Sequence, residues 1–273
     1  MSSLQSAIIA ELSVAGTFDA AAEAERRIAF LAGYLKNAGL HSYVLGISGG
    51  VDSTTAGMLA QTAVNRLRDN GYNAQFVAMR LPYGAQNDEA DAALAIRTIG
   101  PDHTVTVDIK PAAQAMRDEV KRNAGELWNA ATEDFHFGNI KARERMVAQY
   151  ALAGSLGGIV IGTDHAAEAL MGFFTKFGDG AADILPLAGL NKRRIRAVAS
   201  LLGAPKELVH KVPTADLEEK RPLRPDEDAY GVTYDEIDDF LEGKKIGPAS
   251  EAKILKFYRS SAHKRALPVT PFD

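Results

Sequence analysis

The chain has 273 residues and a formal net charge of −4, with 46% hydrophobic and 24% charged residues. This composition is ordinary for a globular protein with a large core, and the acidic balance argues against a general nucleic-acid binder. The absence of cysteine excludes disulfides, thiolate metal sites and a cysteine nucleophile. Since no apolar run approaches the roughly 18 residues of a membrane span and the first residues lack a basic leader, we expect a cytoplasmic protein.

Short β-branched runs alternate with amphipathic stretches through the first two thirds of the sequence. This pattern predicts strands at 43–47, 75–80, 104–109 and 158–162, and helices at 21–37, 53–68, 88–98, 111–123, 140–156 and 164–171. Strands and helices in this alternation indicate an α/β fold with a doubly wound, mostly parallel sheet flanked by helices. Ligands of such sheets bind beyond the carboxyl ends of the strands, so we expect the functional residues there.

The last quarter of the sequence has a different character. Residues 206–228 are rich in charge and proline and offer few apolar side chains for burial. Loops of this length in compact proteins are usually lids, binding loops or disordered connectors, so we predict a mobile lid near 205–228. Two short helical patterns follow at 234–242 and 251–258. The whole chain, 1–273, is predicted to form a single domain.

Residues 46–53 read GISGGVDS and follow the first predicted strand directly. Glycines let the backbone turn sharply and approach a ligand, and the first N–H groups of the next helix favour anions, as in a phosphate loop. A tight turn that needs glycine for its geometry alone is the alternative. Asp52 would repel phosphates unless a cation bridges them, and Mg²⁺ suits that role. The motifs GxxxxGK[ST] and GxGxxG are absent, which argues against γ-phosphoryl transfer and against dinucleotide binding of the Rossmann type.

The segment 48–53, SGGVDS, resembles the SGGxDS loop of the N-type ATP pyrophosphatases, which cleave ATP between its α- and β-phosphates and adenylate a substrate. Further stretches resemble the NAD synthetase family, and most closely its short, ammonia-dependent bacterial form. They are RLPYG at 80–84, KARERMVAQY at 141–150, GTDHAAEAL at 162–170, GFFTKFGDGAADILPLAGLNKR at 172–193, PTADLEEKRP at 213–222, YDEIDDFLEG at 234–243 and HKR at 263–265. The resemblance covers most of the chain and implies a fold like that of the adenine nucleotide alpha hydrolases.

The resemblance also implies which residues bind ATP and magnesium. The implied ATP-binding residues are Gly46, Ile47, Ser48, Gly49, Gly50, Val51, Asp52, Ser53, Arg80, Thr163, Lys192 and Thr214. The implied Mg²⁺ ligands are Asp52 and Glu168. Independently of the resemblance, Glu168 lies one helical turn after Asp164 on a predicted helix, so both carboxylates should share one face. The alternative for Asp164 and Glu168 is that they are ordinary surface acids. Thr163 has a second possible role as a helix N-cap. For the basic run that begins at Lys192, the alternative is a solvated surface patch.

A second set of residues is implied to contact the dinucleotide substrate, deamido-NAD⁺. These residues are Arg143, Lys176, Asp183, His263 and Lys264. Cations suit a substrate that carries a pyrophosphate and a carboxylate, and an aspartate suits ribose hydroxyls. No residue is assigned as a general acid or base, and the other histidines, including His165, are left unassigned.

The reaction implied by the resemblance is the last step of NAD biosynthesis. Deamido-NAD⁺ is amidated with ammonia through an adenylated carboxylate, ATP is a co-substrate and Mg²⁺ the cofactor, and NAD⁺, AMP and pyrophosphate are the products. Larger members of the family carry a glutaminase domain with a cysteine nucleophile, so a chain without cysteine is expected to use ammonia itself. The resemblance further implies a homodimer with the substrate at its interface, and no partner is expected among membranes or nucleic acids.

Two alternatives stay open at this point. Another ATP pyrophosphatase, such as a tRNA-modifying enzyme, would need the same loop, although the acidic balance and the later motifs argue against it. A non-catalytic ATP-binding module would need the loop but would have no use for Glu168 or the stretch 176–183. Under the enzymatic interpretation, removal of Asp52 or Glu168 should reduce turnover far more than stability.

Overall fold

The computed structural model describes residues 3–84, 89–214, 225–266 and 268–271. Its strands are β1 Ser42–Gly46, β2 Gln75–Arg80, β3 His103–Thr106 and β4 Gly158–Val160. They form one sheet in the order β3-β2-β1-β4, and all three pairings are parallel. The chain therefore winds outward from β1 through β2 to β3 and returns to the other side of β1 with β4. The predicted α/β fold with a doubly wound parallel sheet is confirmed.

Helices connect the strands and cover both faces of the sheet. In chain order they are α1 Ser3–Glu11, α2 Ala20–Asn37, α3 Val51–Asp69, α4 Glu89–Ile99, α5 Lys110–Ala124, α6 Glu133–Ser155, α7 Ala166–Met171, α8 Lys192–Leu201, α9 Lys206–Val209, α10 Asp226–Tyr230, α11 Tyr234–Leu241, α12 Pro248–Ser260 and α13 Ala262–Arg265. Short 3₁₀ turns lie between α5 and α6. Within the described ranges, no helix combines the length and the apolar character needed to cross a bilayer.

Apolar side chains pack on both faces of the sheet. On one face, α2, α3 and α8 cover the strand side chains Tyr43, Leu45 and Phe76. On the other face, α6 covers Val44 and Val160. Successive side chains of a strand point to opposite faces, so a sheet covered on both sides requires strands that are apolar throughout.

A second apolar cluster is built by α1, α7, α11 and α12. Its centre contains Leu170, Phe240 and Ile254, which are fully buried. Because α7 follows β4 after a short connection, this cluster fixes α7 close to the carboxyl end of the sheet. Glu168, a predicted metal ligand, lies on this anchored helix.

Several predicted boundaries are wrong in detail. Helix α6 begins at Glu133 rather than at 140, and its early residue Phe137 is buried, which the local pattern does not reveal. Strand β3 ends at Thr106 rather than at 109. Helix α1 was not expected from the sequence, and Ile8 on it is buried in the second cluster. For α6 and α1, burial of Phe137 beside Tyr83 and of Ile8 in the second cluster explains the difference.

The segment predicted as a lid, 205–228, is described only at its two ends. Helices α9 and α10 lie there, and Leu208 and Val209 of α9 are buried, so the expectation of few buried apolar residues is wrong for the first part of the segment. Thr214 and Pro225 pair in an antiparallel bridge that holds the two ends together. Residues 215–224 lie outside the described part of the chain, and the lid stays a prediction.

Candidate functional site

The loop 46–53, called here the phosphate loop, lies where the sheet changes direction. Strand β1 is flanked by β2 and β4, so the segments that follow β1 and β4 leave the sheet side by side at its carboxyl edge. The phosphate loop follows β1, and segment 161–168 follows β4 and leads into α7. Doubly wound sheets bind their ligands at this switch point.

Polar groups of the phosphate loop hold one another in a compact turn. The backbone N–H of Ser48 donates to Ser53 Oγ (3.3 Å), and Ser53 Oγ donates to the Gly50 carbonyl (3.2 Å). The backbone N–H of Gly50 donates to Ser48 Oγ (3.3 Å). Helix α3 begins at Val51, so the positive end of its dipole lies at this turn, as anion binding requires.

Gly49 has a packing role that the sequence does not reveal. Its φ is +81°, and a Cβ on it would lie 2.6 Å from the backbone nitrogen of Ala92 in α4. At Gly50, by contrast, a Cβ would meet its nearest neighbour, Ser48 Oγ, at 3.5 Å. Gly49 therefore serves the close contact between the phosphate loop and α4, and Gly50 is the glycine beside the ligand space.

We expect Gly49→Ala to destabilise the protein by about 2–5 kcal/mol, the sum of left-handed backbone strain and an overpacked contact. Gly50→Ala is the matched control, because Gly50 has a φ of −81°. It should cost about 1 kcal/mol or less. Urea denaturation of both variants measures the difference, and equal losses of stability would contradict this role for Gly49.

A cavity of about 400 Å³ opens beside the phosphate loop. Of the residues predicted to bind ATP, its wall contains Gly46, Ile47, Ser48, Gly50, Val51, Asp52, Ser53, Thr163 and Thr214. The same wall contains Glu168 and Lys264. The structure thus brings most of the predicted ATP residues, both predicted metal ligands and one predicted dinucleotide residue together.

Asp52 of the cavity wall forms an ion pair with Lys192, which is not itself part of the wall. Lys192 Nζ lies 2.8 Å from Asp52 Oδ2, and the lysine side chain is 1% exposed. Burial alone would raise the pKa of Asp52, but the charge of Lys192 and the hydrogen bond that it donates lower it overall. Burial likewise opposes the charge of Lys192, while Asp52 and Glu168 raise its pKa overall. Loss of the Asp52 carboxylate would leave Lys192 buried without this partner. The structure therefore revises the expectation that removal of Asp52 has little effect on the stability of the fold.

Asp52, His165 and Glu168 each offer a ligand atom, and these atoms lie within 4.8 Å of one another. His165 Nε2 lies 3.6 Å from Asp52 Oδ1 and 3.5 Å from Glu168 Oε1. Asp52 Oδ1 and His165 Nε2 are buried and have no hydrogen-bond partner among the described residues. Two carboxylates with an unsatisfied buried oxygen fit Mg²⁺, which binds through one or two carboxylates together with phosphate oxygens.

Two local predictions around α7 are wrong. His165, and not Thr163, is the N-cap of α7, and its Nδ1 accepts the backbone N–H of Glu168 at 3.5 Å. Because α7 begins at Ala166, Asp164 precedes the helix and shares no helical face with Glu168. Burial and the charge of Glu168 raise the pKa of Asp164 to about 8. The second carboxylate beside Glu168 is therefore Asp52.

Asp226 is a further acidic side chain of the cavity wall, and the sequence did not point to it. It is buried, and burial raises its pKa to about 6. The Tyr234 hydroxyl donates to Asp226 Oδ2 (3.0 Å), and the Tyr234 ring lies 4.9 Å from Lys192 Nζ. Asp226 and Tyr234 thereby help to enclose the lysine that pairs with Asp52.

Arg80 ends β2, at the edge of the sheet where the sequence predicts it. Its buried guanidinium makes a bidentate pair with Glu89 at the start of α4, with N···O distances of 2.6 and 2.5 Å. The cavity wall does not include Arg80. A contact between Arg80 and ATP therefore stays a prediction.

Three of the predicted dinucleotide residues are linked by hydrogen bonds. Arg143 donates to the Lys176 carbonyl (3.2 Å), and Lys176 Nζ donates to the His263 carbonyl (2.5 Å). Lys264 follows directly, and its Nζ donates to two carbonyls after α7 at 2.9 Å each. Residues from three distant parts of the sequence therefore lie close together, and one of them, Lys264, lines the cavity.

Asp183 has a different environment from the other predicted dinucleotide residues. Its Oδ2 accepts the backbone N–H of Val160 (2.7 Å), and the Tyr150 hydroxyl lies 3.5 Å from its Oδ1. The carboxylate thus satisfies a backbone N–H of β4, a structural role that the resemblance did not suggest. A contact with ribose stays a prediction.

Helix α6 contributes cavity residues that sequence reasoning missed. Gln149 Oε1 accepts the backbone N–H of Gly46 (2.7 Å), and Asn139, Ala142 and Arg145 also line the cavity. These four positions follow one another at intervals of three or four residues, which marks one helix face. Such spacing does not distinguish a face that packs in the core from a face that binds a ligand.

Comparison with known proteins shows a match to the NAD synthase family over residues 23–268. The chain belongs to the NAD synthase family. A relative from Burkholderia cenocepacia named NH(3)-dependent NAD(+) synthetase is 65% identical over 271 residues, which cover 99% of this chain and 96% of the relative. The solved structure of NAD+ synthetase from Burkholderia pseudomallei has a TM-score of 0.84 and 61% identity, and the match covers 97% of each chain. The structure of NMN synthetase from Francisella tularensis has a TM-score of 0.81 and 36% identity, and the match covers 93% of this chain and 99% of that chain.

Membership of the NAD synthase family confirms the resemblance drawn from the sequence. It also confirms the predicted enzyme class, a ligase, and the parallel α/β fold that this family shares. A non-catalytic ATP-binding module and a tRNA-modifying enzyme are both disfavoured by matches that extend over nearly the whole chain.

Proposed function

We propose that the chain amidates deamido-NAD⁺ with ammonia, consuming ATP and releasing NAD⁺, AMP and pyrophosphate as the last step of NAD biosynthesis. The observation that carries this proposal is the presence, in one cavity, of the phosphate loop at a helix N-terminus and the carboxylates of Asp52 and Glu168. Relatives that are 65% identical and named NH(3)-dependent NAD(+) synthetase support the same reaction.

The chemistry of the phosphate loop suits pyrophosphate as a leaving group. The hydroxyl of Ser48 and the N-terminus of α3 offer donors to phosphate oxygens, and Lys192 adds a positive charge through its ion pair with Asp52. Mg²⁺ held by Asp52 and Glu168 would neutralise phosphate charge and thereby make pyrophosphate a better leaving group. Asp52 can contact both Lys192 and the cation, because Lys192 contacts Oδ2 and leaves Oδ1 unsatisfied.

Adenylation of the substrate removes the main chemical obstacle to amidation, since a carboxylate oxygen is a poor leaving group. In the first step, an oxygen of the nicotinate carboxylate attacks the α-phosphorus of ATP, and the bond to the bridging oxygen of pyrophosphate breaks. In the second step, ammonia attacks the carbonyl carbon, the bond to AMP breaks, and nitrogen loses a proton. Ammonia is itself nucleophilic, so the side chains contribute mainly position and charge.

Ammonia as the nitrogen donor is supported by composition. Release of ammonia from glutamine by covalent catalysis in the manner of glutaminases needs a cysteine nucleophile, and this sequence has none. The relative from Burkholderia cenocepacia named NH(3)-dependent is matched over 96% of its length, so that relative offers little room for a second large domain.

A homodimer is the assembly that we propose for this enzyme. Exposed apolar side chains on α5 and α6 include Met116, Phe135 and Val147, with exposed fractions of 49%, 58% and 53%. Aromatic and methionine side chains are enriched at protein interfaces. Phe135 also lines the cavity, so a second copy packed on α6 would close the site over the dinucleotide. Analytical ultracentrifugation should show a dimer, and a monomer at micromolar concentration would contradict this assembly.

The amidation reaction is tested by product analysis with labelled ammonium. Protein incubated with ATP, Mg²⁺, deamido-NAD⁺ and ¹⁵N-ammonium should release NAD⁺ that carries ¹⁵N in its carboxamide, together with equal amounts of AMP and pyrophosphate. Glutamine in place of ammonium should yield no NAD⁺ above background. Release of ADP and inorganic phosphate, or absence of NAD⁺, would contradict the proposal.

A mononucleotide is the second candidate substrate, because the chain is 36% identical to a protein named NMN synthetase. The cluster of Arg143, Lys176 and Lys264 favours the larger dinucleotide, whose second phosphate and ribose need additional contacts. We expect Lys176→Ala to raise the KM for deamido-NAD⁺ about 10- to 100-fold, as loss of a charged hydrogen bond does. The exposed Lys245 provides the control substitution Lys245→Ala. A lower KM for nicotinate mononucleotide than for deamido-NAD⁺ would reverse the assignment.

A further inference from the structure

His165 is the least exposed of the three side chains that converge on the proposed metal position. Its side chain is 0% exposed, whereas those of Asp52 and Glu168 are each 20% exposed. Its Nε2 is buried without a hydrogen-bond partner among the described residues and is directed between the two carboxylates. A buried polar atom in such a place needs a function, because its desolvation is otherwise uncompensated.

The helix cap determines which nitrogen of the His165 ring carries the proton. Nδ1 accepts the backbone N–H of Glu168 as the N-cap contact of α7. A ring nitrogen that accepts an N–H carries no proton, so a ring N–H is on Nε2. An Nε2–H group is a donor and not a metal ligand. His165 therefore faces the two carboxylates as a hydrogen-bond donor.

We propose that His165 is a positioning residue, whose Nε2–H holds the carboxylates of Asp52 and Glu168 at the spacing that a divalent cation requires. This role rests on the metal site of the proposed function. Nε2 lies 3.6 Å from Asp52 Oδ1 and 3.5 Å from Glu168 Oε1. Both distances are longer than a hydrogen bond, so the Nε2–H acts on the two oxygens by electrostatic attraction and leaves their lone pairs available.

The ring also couples the two halves of the site. Through Nδ1 it contacts the backbone of Glu168, and through Nε2 it faces the side chains of Glu168 and of Asp52. Asp52 belongs to the helix after β1, whereas Glu168 belongs to the helix after β4. His165 thus connects the two segments that meet at the switch point of the sheet.

Two substitutions separate the cap from the positioning role. His165→Asn retains an acceptor oxygen for the N-cap and has no atom at the place of Nε2. His165→Gln brings an amide N–H close to the place of Nε2 and loses the cap acceptor. We expect His165→Asn to weaken Mn²⁺ binding by about tenfold, as loss of a partner behind a metal ligand does, with an unchanged Tm. His165→Gln should keep the Mn²⁺ affinity within about threefold and should lower stability by about 1 kcal/mol.

Electron paramagnetic resonance of Mn²⁺, added alone to the full-length protein, measures this affinity. Wild-type Mn²⁺ affinity in His165→Asn would overturn the proposal. Equal weakening of Mn²⁺ binding in both variants would also overturn it, because the imidazole itself would then be required. Nitrogen coupling from an imidazole bound directly to Mn²⁺ would also overturn it. Asp52→Asn should abolish Mn²⁺ binding. Unchanged Mn²⁺ binding in Asp52→Asn would show that the metal site does not include Asp52. If only the His165 variants give unexpected Mn²⁺ affinities, the amidation proposal still stands.

Discussion

Glu168→Gln should lower kcat for NAD⁺ formation by about 10²–10³-fold, the usual effect of removing one group that stabilises developing charge. Stability should change little, because the amide has the same shape and the glutamate side chain is 20% exposed. The expected loss arises from the missing negative charge beside Asp52, which weakens the site for the cation that neutralises the phosphates. The measurements are kcat at saturating substrates and the midpoint of urea denaturation.

An exposed glutamate on α9 supplies the control for this experiment. Glu207→Gln removes a carboxylate of the same type outside the cavity wall and should leave kcat unchanged. A kcat for Glu168→Gln close to that of Glu207→Gln would contradict a role for Glu168 in metal binding.

Asp52→Asn should abolish activity and also destabilise the fold, which distinguishes it from Glu168→Gln. Lys192 is 1% exposed and lies 2.8 Å from Asp52 Oδ2, so the substitution leaves a buried ammonium without its ion-pair partner. Removal of one member of a buried pair costs about 3–5 kcal/mol. We therefore expect a stability loss in that range, measured by urea denaturation, together with a fall in kcat of at least about 10³-fold.

A double variant separates the two effects of Asp52. In Asp52→Asn combined with Lys192→Met, the buried charge is absent and much of the lost stability should return, since apolar replacement of a buried ion pair is often neutral. Activity should remain lost, because both the carboxylate and the cation beside the phosphates are gone. Wild-type stability in the single variant, or no recovery in the double variant, would contradict the structural role of the pair.

Strands β1 and β2, which are buried on both faces of the sheet, could be predicted from the sequence. Strand β2, Gln75–Arg80, has the predicted bounds, and β1 is displaced by a single residue, because continuous apolar runs mark such strands locally. Helix α6 and helix α1 depend instead on burial of Phe137 and Ile8 against residues far away in sequence. No local pattern contains that information.

The candidate site was predictable where a motif is local. The glycines and serines that form the turn all lie within segment 48–53. Glu168 follows a strand at the expected edge of the sheet. His165 was missed because its importance arises only when α7 is placed beside the phosphate loop. Gln149 was missed for the same reason, since its contact with Gly46 joins residues from distant parts of the chain.

Transfer of isotopic oxygen is the most direct measurement of carboxylate activation by adenylation. Deamido-NAD⁺ labelled with ¹⁸O in its nicotinate carboxylate is incubated with the protein, Mg²⁺, ATP and ammonium. Attack of the carboxylate on the α-phosphorus predicts one ¹⁸O in the phosphate of AMP for each NAD⁺ formed, and none in pyrophosphate. Label in inorganic phosphate or pyrophosphate, or NAD⁺ formed with unlabelled AMP, would contradict the mechanism.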